Sequence, residues 1–276
     1  LREKDPTNGN DLYLTIDSGL QRNLDYLMSN AYSESGAEVV TAGVMEIKTG
    51  KILAMSTYPS FNPNERNIST FNNYFLEGTI ECGSVFKPFI YADSIEEGKY
   101  DHNAYYNSGS YNVYYGNKLV ATIKDHNGGQ GWGTITYDQG LYHSSNVAIC
   151  NLLDQGYVTK DVLTEKLNDL GFFQGDTMDG LTCSSSINAY TRKNAGRLEY
   201  LTTGFGQGST VTPYQLLKAY SVFGNDGKTV QPHIVDKVVN PETNKVVYQA
   251  TPKYSKQIFS TNTISQVKDL MLGVIE

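Results

Sequence analysis

The 276-residue sequence has few of the features that mark disulfide-rich, nucleic-acid-binding or membrane-spanning proteins. Its three cysteines, Cys82, Cys150 and Cys183, are too few and too scattered for a disulfide framework, and no CxxC pair suggests a structural zinc. The three cysteines do not indicate whether the protein works in an oxidising or a reducing compartment. No apolar run approaches the roughly 20 residues that cross a bilayer. The net charge of −7 disfavours binding to nucleic acids or to anionic membranes.

The length and the 39% hydrophobic content are enough for a buried core. Residues 1–10 are polar and turn-rich, and we interpret them as the remnant of a linker that precedes a domain over residues 11–276. Because the chain starts at Leu1 without a signal pattern, we expect it to be an excised domain. Any anchor or targeting segment of the parent protein would then lie outside it.

The spacing of the apolar residues predicts both strands and helices. Predicted strands lie at residues 11–16 and in two hairpins, 37–59 and 232–250, the first with Gly50 in its turn. Predicted helices cover residues 19–32, 84–98, 136–156, 158–171, 212–227 and 262–276. Residues 101–136, rich in Tyr, Asn and Gly, are predicted to be irregular.

The stretch "ECGSVFKPFI" places Ser84 and Lys87 three residues apart, and therefore on one face of a helix. A serine hydroxyl becomes a good nucleophile when a nearby base takes its proton, and a desolvated lysine can be that base. Phe86 and Pro88 flank the lysine, which favours partial burial of its charge. On this stretch alone, an ordinary helix start with a capping serine and an outward lysine remains an equal alternative.

A second polar element, Ser144 and Asn146 in "HSSNVAI", opens an apolar segment. The hydroxyl could relay a proton to a leaving group, and the carboxamide could hold Lys87 or bind a substrate amide. The same residues could merely cap a helix.

SxxK followed by SxN resembles the first two motifs of penicillin-binding proteins and serine β-lactamases. Further stretches resemble the class B penicillin-binding proteins in the expected order, so that the resemblance runs from about Leu12 to Glu276. These stretches are "LTIDSGLQRNL", "GVMEIKTGKILAMSTYPSFNPN" and "GFGQGSTVTPYQLLKAYSVFGNDG".

One motif departs from the family pattern. The third motif, Lys-Thr-Gly, should follow SxN by a long interval, but the only such tripeptide, Lys48–Gly50, precedes SxxK in a hairpin turn. We therefore expect the chain to lack the C-terminal part of the domain that carries this motif. The sheet would then be incomplete and the hairpin near residues 38–58 would keep an unpaired edge.

Weaker candidates for a site lie elsewhere. Asp125, His126, His143 and Cys150 could be metal ligands, with His143 and Cys150 on one helical face, but such residues are more often surface or packing residues and we predict no metal. "GFGQG" lacks the Lys of a phosphate loop and is interpreted as a turn next to the cleft. Cys82 is interpreted as a packing residue.

The resemblance implies an α/β (α+β) fold in which an antiparallel sheet is flanked by helices and joined to a mostly helical subdomain. It implies a D,D-transpeptidase that acts on peptidoglycan stem peptides ending in D-Ala-D-Ala, at the extracytoplasmic face of the bacterial membrane, without a cofactor. Ser84 would be the nucleophile and Lys87 its base, while Ser144 would deliver a proton and Asn146 would orient the peptide.

The resemblance further implies acylation by β-lactam antibiotics, and partnership with a wall glycosyltransferase and other wall-synthesis proteins. A D,D-carboxypeptidase or a β-lactamase on the same scaffold remains an alternative within enzymes. A β-lactam sensor or scaffold subunit is the alternative outside them.

Overall fold

The computed structural model describes residues 8–65, 68 and 70–275. Most of the predicted linker, residues 1–7, lies outside the described residues, as does Glu276; residues 8–10 are exposed and carry no secondary structure. The helices are α1 (Ser18–Ser35), α2 (Tyr74–Glu77), α3 (Lys87–Glu96), α4 (Tyr137–Tyr142), α5 (Asn146–Asp154), α6 (Lys160–Asp169), α7 (Arg197–Gly204), α8 (Pro213–Gly224) and α9 (Thr261–Leu272).

The described strands pair in small antiparallel sheets. One has three strands in the order β1-β10-β11, and four have two strands each: β2–β3, β4–β7, β5–β6 and β8–β9. Their bounds are β1 (Asp11–Leu14), β2 (Val40–Met45), β3 (Ile52–Tyr58), β4 (Tyr105–Asn107), β5 (Ser110–Tyr115), β6 (Lys118–Lys124), β7 (Thr134–Thr136), β8 (Asp176–Met178), β9 (Leu181–Cys183), β10 (Val235–Asn240) and β11 (Lys245–Gln249). The predicted α/β class is therefore confirmed, with small separate sheets in place of one large sheet.

Local chemistry explains the elements that the sequence predicted. The side chain of Asp17 accepts the Leu20 N–H at 2.8 Å and caps α1, and Thr212 caps α8, where Pro213 stands in the first turn. Gly50, in the β2–β3 turn, has a φ of 81°, a conformation that favours glycine. Both predicted hairpins are confirmed.

The prediction that residues 101–136 are irregular is wrong, because this segment contains β4, β5, β6 and β7. In the β5–β6 hairpin only Val113 and Ile123 are buried. A hairpin that buries so few side chains shows little of the alternation from which strands are predicted. β4 pairs with β7 although Tyr105 and its partner Thr136 are 31 positions apart in the chain, a pairing that no local pattern reveals.

The predicted helix over residues 136–156 is two helices, α4 and α5, separated by a turn at His143–Ser145. Ser144 has a left-handed φ of 53°, and Ser145 caps α5 by accepting the Ala148 N–H at 3.0 Å. The apolar spacing is compatible with a continuous helix here, but the capping serine and the left-handed residue end one helix and start another.

The main hydrophobic cluster surrounds α3, in which every residue except Glu96 is buried. The Phe89 ring lies within 5.2–5.8 Å of four other rings, those of Phe86, Phe172, Tyr220 and Phe223. A second, smaller cluster joins β3, α2 and α8 through Ile52, Phe75, Leu76 and Tyr214. The helix that begins with Lys87 is thus held rigidly in the centre of the molecule.

Candidate active site

Ser84 lies in a short 3-10 turn, Gly83–Phe86, and not in the first turn of the predicted α-helix, since α3 begins at Lys87. Its side chain is exposed. Gly83 has a φ of 64° and donates its N–H to the Gly206 carbonyl at 3.0 Å. A side chain on Gly206 would place its Cβ 2.2 Å from the Gly83 oxygen. Two glycines in direct contact therefore fix the turn that presents Ser84.

The loop around Gly206 corresponds to the predicted turn next to the cleft. Gly208 donates its N–H to the Glu81 carboxylate at 2.9 Å, and Ile80 and Val211 form an antiparallel bridge. The Tyr220 hydroxyl donates to the Val85 carbonyl at 2.6 Å. This loop and α8 together support the Ser84 turn from one side, as the sequence interpretation of "GFGQG" expected.

Lys87 is 1% exposed, and its Nζ lies 3.0 Å from Ser84 Oγ and 3.0 Å from Ser144 Oγ. The ammonium also donates to the Ser144 carbonyl. Burial lowers the pKa of Lys87 to about 8, while the negative charge of Asp125 acts in the opposite direction. A lysine with this pKa can exchange a proton with either hydroxyl near neutral pH.

The structure brings together three of the four predicted site residues: Ser84, Lys87 and Ser144. The fourth, Asn146, starts α5 two residues beyond Ser144, and its amide donates to the Lys124 carbonyl at 3.0 Å. Within the described part of the chain, the hydrogen bonds of Lys87 go to the two serines and not to Asn146. The possibility that Asn146 holds Lys87 therefore has no support in this geometry.

A pocket of about 340 Å³ opens onto the three residues. Its other walls are mostly apolar and come from α3, α4, α8 and the end of the described chain: Val85, Pro88, Leu141, Tyr220, Met271, Val274 and Ile275. Sequence reasoning found none of these wall residues, since they are separated in sequence and share only their position in space.

Asp125 is another residue of the site whose position the sequence did not reveal. It was considered as a metal ligand, but the structure buries it to 2% exposure beside Ser145. Its Oδ1 accepts from Ser145 Oγ at 2.8 Å and from the Val147 N–H at 3.1 Å, and its Oδ2 accepts from the Gly109 N–H at 2.8 Å. These partners lie 16 to 22 residues away, so no helical or strand period could have predicted them.

The other metal candidates do not converge. The His143 ring stacks on Trp132 at 4.5 Å, whereas Cys150 is fully buried within α5. The expectation that both share one helical face is wrong, because the turn at Ser144 separates them. Among the described residues, no group of three or more His, Cys, Asp and Glu side chains could hold a metal ion.

Cys82 precedes the Ser84 turn and packs partly buried against the main cluster, as interpreted from the sequence. Burial raises the pKa of its thiol to about 12. The thiol is therefore protonated and a poor nucleophile at neutral pH.

Comparisons with known proteins bear on the family of the chain. A family described as "Penicillin binding protein transpeptidase domain" matches residues 40–276. Stage V sporulation protein D of Bacillus subtilis is 30% identical over 276 residues, which cover 98% of this chain and 41% of that protein. A probable peptidoglycan D,D-transpeptidase of Neisseria flavescens, PenA, is 26% identical and is matched over 100% of this chain and 64% of its own length.

Among solved structures, penicillin-binding protein 2X from Streptococcus thermophilus superposes with a TM-score of 0.84 at 25% identity. The match covers 98% of this chain and 39% of that one. The chain thus spans less than two thirds of the length of each of these relatives.

Proposed function

The chain belongs to the penicillin-binding protein transpeptidase family, as the sequence predicted, and from this premise we propose that it is the transpeptidase domain of a peptidoglycan D,D-transpeptidase that works through an acyl-enzyme on Ser84. The observation that carries the proposal is the contact of one buried lysine with two hydroxyls, Ser84 and Ser144, at 3.0 Å each. A serine without a base, or a lysine in solvent, would not support this chemistry.

In the first half-reaction Ser84 Oγ attacks the carbonyl carbon of the penultimate D-Ala of a stem peptide. Neutral Lys87 accepts the hydroxyl proton as the new C–O bond forms. Because the pKa of Lys87 is about 8, about a tenth of the molecules hold the neutral amine at pH 7. The C–N bond then breaks, and Ser144 passes a proton from Lys87 to the departing D-Ala amine.

The developing oxyanion needs two N–H donors. We propose the backbone N–H of Ser84 as one of them. Residues 147–276 contain no Lys-Thr-Gly or Lys-Ser-Gly tripeptide, so we propose that the second donor belongs to a third-motif strand that the printed sequence does not contain. Asn146, half-buried at the start of α5, would orient the peptide of the donor stem.

In the second half-reaction an amine from a neighbouring stem peptide attacks the acyl carbon and releases Ser84, which gives the cross-link. Water in place of the amine would give a carboxypeptidase or a β-lactamase. The strained amide of a β-lactam resembles the D-Ala-D-Ala end and would acylate Ser84 by the same route.

The proposal is tested with a fluorescent penicillin added to the full-length protein, which under this proposal includes the third-motif strand, followed by mass spectrometry of the labelled peptide. We expect a label on Ser84 that disappears in Ser84→Ala. Ser94→Ala is the control, since Ser94 is a buried serine of α3, the helix that follows the Ser84 turn, and its hydroxyl donates to the Ile90 carbonyl. Labelling that survives Ser84→Ala would overturn the proposal.

The fate of the label separates the two half-reactions. We expect slow loss of the penicilloyl group in water. With a stem peptide ending in D-Ala-D-Ala as acyl donor in place of the penicillin, and a stem-peptide amine as acceptor, we expect a cross-linked peptide and free D-Ala. Rapid loss in water alone would favour the hydrolase alternatives.

The site of action follows from the substrate. We propose that the protein works at the extracytoplasmic face of the membrane, anchored by a segment outside this chain, with a wall glycosyltransferase and other wall-synthesis proteins as partners. Within the described residues, no helix combines the length and the apolar character needed to span a bilayer.

A further inference from the structure

The backbone of Ser144 is held in a left-handed conformation, which is unfavourable for a residue other than glycine. A left-handed φ of 53° is unfavourable for a serine and persists only where the surroundings enforce it. The carbonyl and the hydroxyl of this residue both face Lys87. Whatever enforces the turn therefore also fixes the geometry of the lysine.

The residues on both sides of Ser144 are tied to their neighbours. On the N-terminal side, Ser144 donates its N–H to the Leu141 carbonyl at 2.9 Å. On the C-terminal side, Ser145 Oγ and the Val147 N–H both donate to a single oxygen of Asp125. The second oxygen of that carboxylate accepts the Gly109 N–H, so Asp125 also binds the turn between β4 and β5.

The negative charge of Asp125 also affects the site, because it acts on the pKa of Lys87. It is the negatively charged group that raises the pKa of Lys87 most, against the larger effect of burial. The other group that acts in this direction is the Cys150 thiol, whose own pKa burial raises far above neutral, so it is uncharged. Asp125 is thus the carboxylate whose field balances the desolvated ammonium.

We propose that Asp125 is a positioning residue of the acylation reaction, which holds the strained Ser144 turn against Lys87 and whose negative charge stabilises the ammonium without contacting it. It acts through Ser145, Val147 and Lys87 and has no contact with the reacting carbonyl. The proposal rests on the proposed function, because it assigns to Asp125 the control of the base used there.

The two roles predict different effects. Loss of the hydrogen bonds loosens the Ser144 turn and lowers the acylation rate at every pH. Loss of the charge favours neutral Lys87, because an opposite charge no longer stabilises the ammonium. The rise of the rate with pH should then begin at a lower pH.

The experiment measures the second-order rate of acylation by a fluorescent penicillin from pH 5.5 to 9.5 in the full chain. In Asp125→Asn we expect the midpoint of the rise to move to lower pH by at least about half a unit, and the plateau to fall by about tenfold or more. Ser145→Ala is the matched control: it removes one hydrogen bond to the carboxylate, together with the cap of α5, and keeps the negative charge. We expect a lower plateau in that variant with the midpoint unchanged.

A midpoint that stays in place in Asp125→Asn, or one that moves equally in Ser145→Ala, would overturn the electrostatic role. Unchanged plateaus in both variants would overturn the positioning role. If Asp125→Asn does not fold, as judged by its thermal transition, Asp125→Glu replaces it, because the charge is kept while the geometry changes. Its expected result is a lower plateau with the midpoint unchanged, and a midpoint moved to lower pH would contradict the proposal.

Wild type and Ser84→Ala are measured alongside. If wild type is not labelled at Ser84, the proposed function fails. If wild type is labelled and Asp125→Asn has the same profile, only the role of Asp125 fails.

Discussion

At the scale of single residues, α3 buries one basic and one acidic side chain at a cost to stability, but only one of them has a use in the proposed chemistry. Lys87 makes hydrogen bonds to Ser84 and Ser144. Asp93, six residues further on and 1% exposed, has carboxylate oxygens without a hydrogen-bond partner among the described residues. The charge of each is therefore destabilising when the protein folds.

Replacing Lys87 by Met should abolish acylation and stabilise the fold. The folded protein holds this lysine at a pKa of about 8, below the ordinary 10.5, so the unfolded chain binds more protons between these two values. Stability from this group therefore rises with pH across that window. At pH 7 we expect the free energy of unfolding of Lys87→Met to be about 1 to 3 kcal/mol higher than that of wild type. This difference should shrink toward pH 10.5.

Urea denaturation at pH 7 and pH 10 measures this difference. Lys118→Met, at an exposed position of β6, is the control and should change stability by less than about 0.5 kcal/mol at either pH. A Lys87→Met variant that is less stable than wild type at pH 7 would show that the two serine contacts outweigh the buried charge.

Replacing Asp93 by Asn should raise the free energy of unfolding by an amount that grows with pH. Burial raises the pKa of Asp93 well above its ordinary value, and Lys166 opposes this only in part. The stability due to the protonated carboxyl is complete below pH 3.8 and is lost as the pH rises through the folded pKa. We expect the stability of Asp93→Asn relative to wild type to increase by about 1.4 kcal/mol per pH unit above pH 4, until the folded pKa is reached.

Denaturation curves at pH 4.5, 6 and 7.5 test the expected slope. Asp11→Asn is the control, since Asp11 is exposed in β1. A difference between Asp93→Asn and wild type that is constant across this range would mean that Asp93 is ionised in the folded protein.

At the scale of elements, the site depends on one close contact between two loops. Gly206→Ala should displace the Ser84 turn, because the added Cβ would lie 2.2 Å from the Gly83 carbonyl oxygen. We expect a loss of about 2 kcal/mol or more in stability and at least a tenfold slower acylation. The rate of penicillin labelling and the thermal midpoint measure the two effects.

Gly116→Ala in the β5–β6 turn is the matched control. Gly116 also has a positive φ, 57°, but its added Cβ would meet nothing within 4 Å. This variant should cost about 1 kcal/mol from backbone strain alone and leave acylation unchanged. Equal effects of the two substitutions would contradict the close contact as the cause.

The same scale shows what the sequence could and could not predict. Ser84 and Lys87 were found because a helical spacing of three already places them together. Ser144 was found because it stands in a motif, although the helix predicted around it is broken at that residue. Asp125 and the wall residue Tyr220 could not be found, because the backbone turns that bring them to the site depend on tertiary contacts such as β4 with β7.

At the scale of the whole molecule, local stability should differ between the buried helix α3 and the peripheral helix α1. α3 is almost entirely buried in the main cluster, whereas α1, although capped at both ends, has no buried residue and exposes 57% of Leu27. We expect the amides of α3 to exchange with solvent at least about tenfold more slowly than those of α1, after correction for intrinsic rates.

Hydrogen exchange followed by mass spectrometry measures this difference in native buffer. The amides of α5, which is nearly as buried as α3, are the internal control and should be as protected as those of α3. Protection of α1 equal to that of α3 would show that its contact with β3, through Gln21 and Met55, is stronger than its burial indicates.

The contact between Lys87 and Ser144 joins residues that are 57 positions apart. A chain must close this long loop before the proposed proton relay, Ser144, reaches Lys87, and such non-local contacts form slowly in folding. Under the proposed chemistry, a pulse of fluorescent penicillin added during refolding would label only molecules in which the loop has closed. The amount of labelled protein at each refolding time, measured as fluorescence on a gel, would then report how fast the final assembly of the domain occurs.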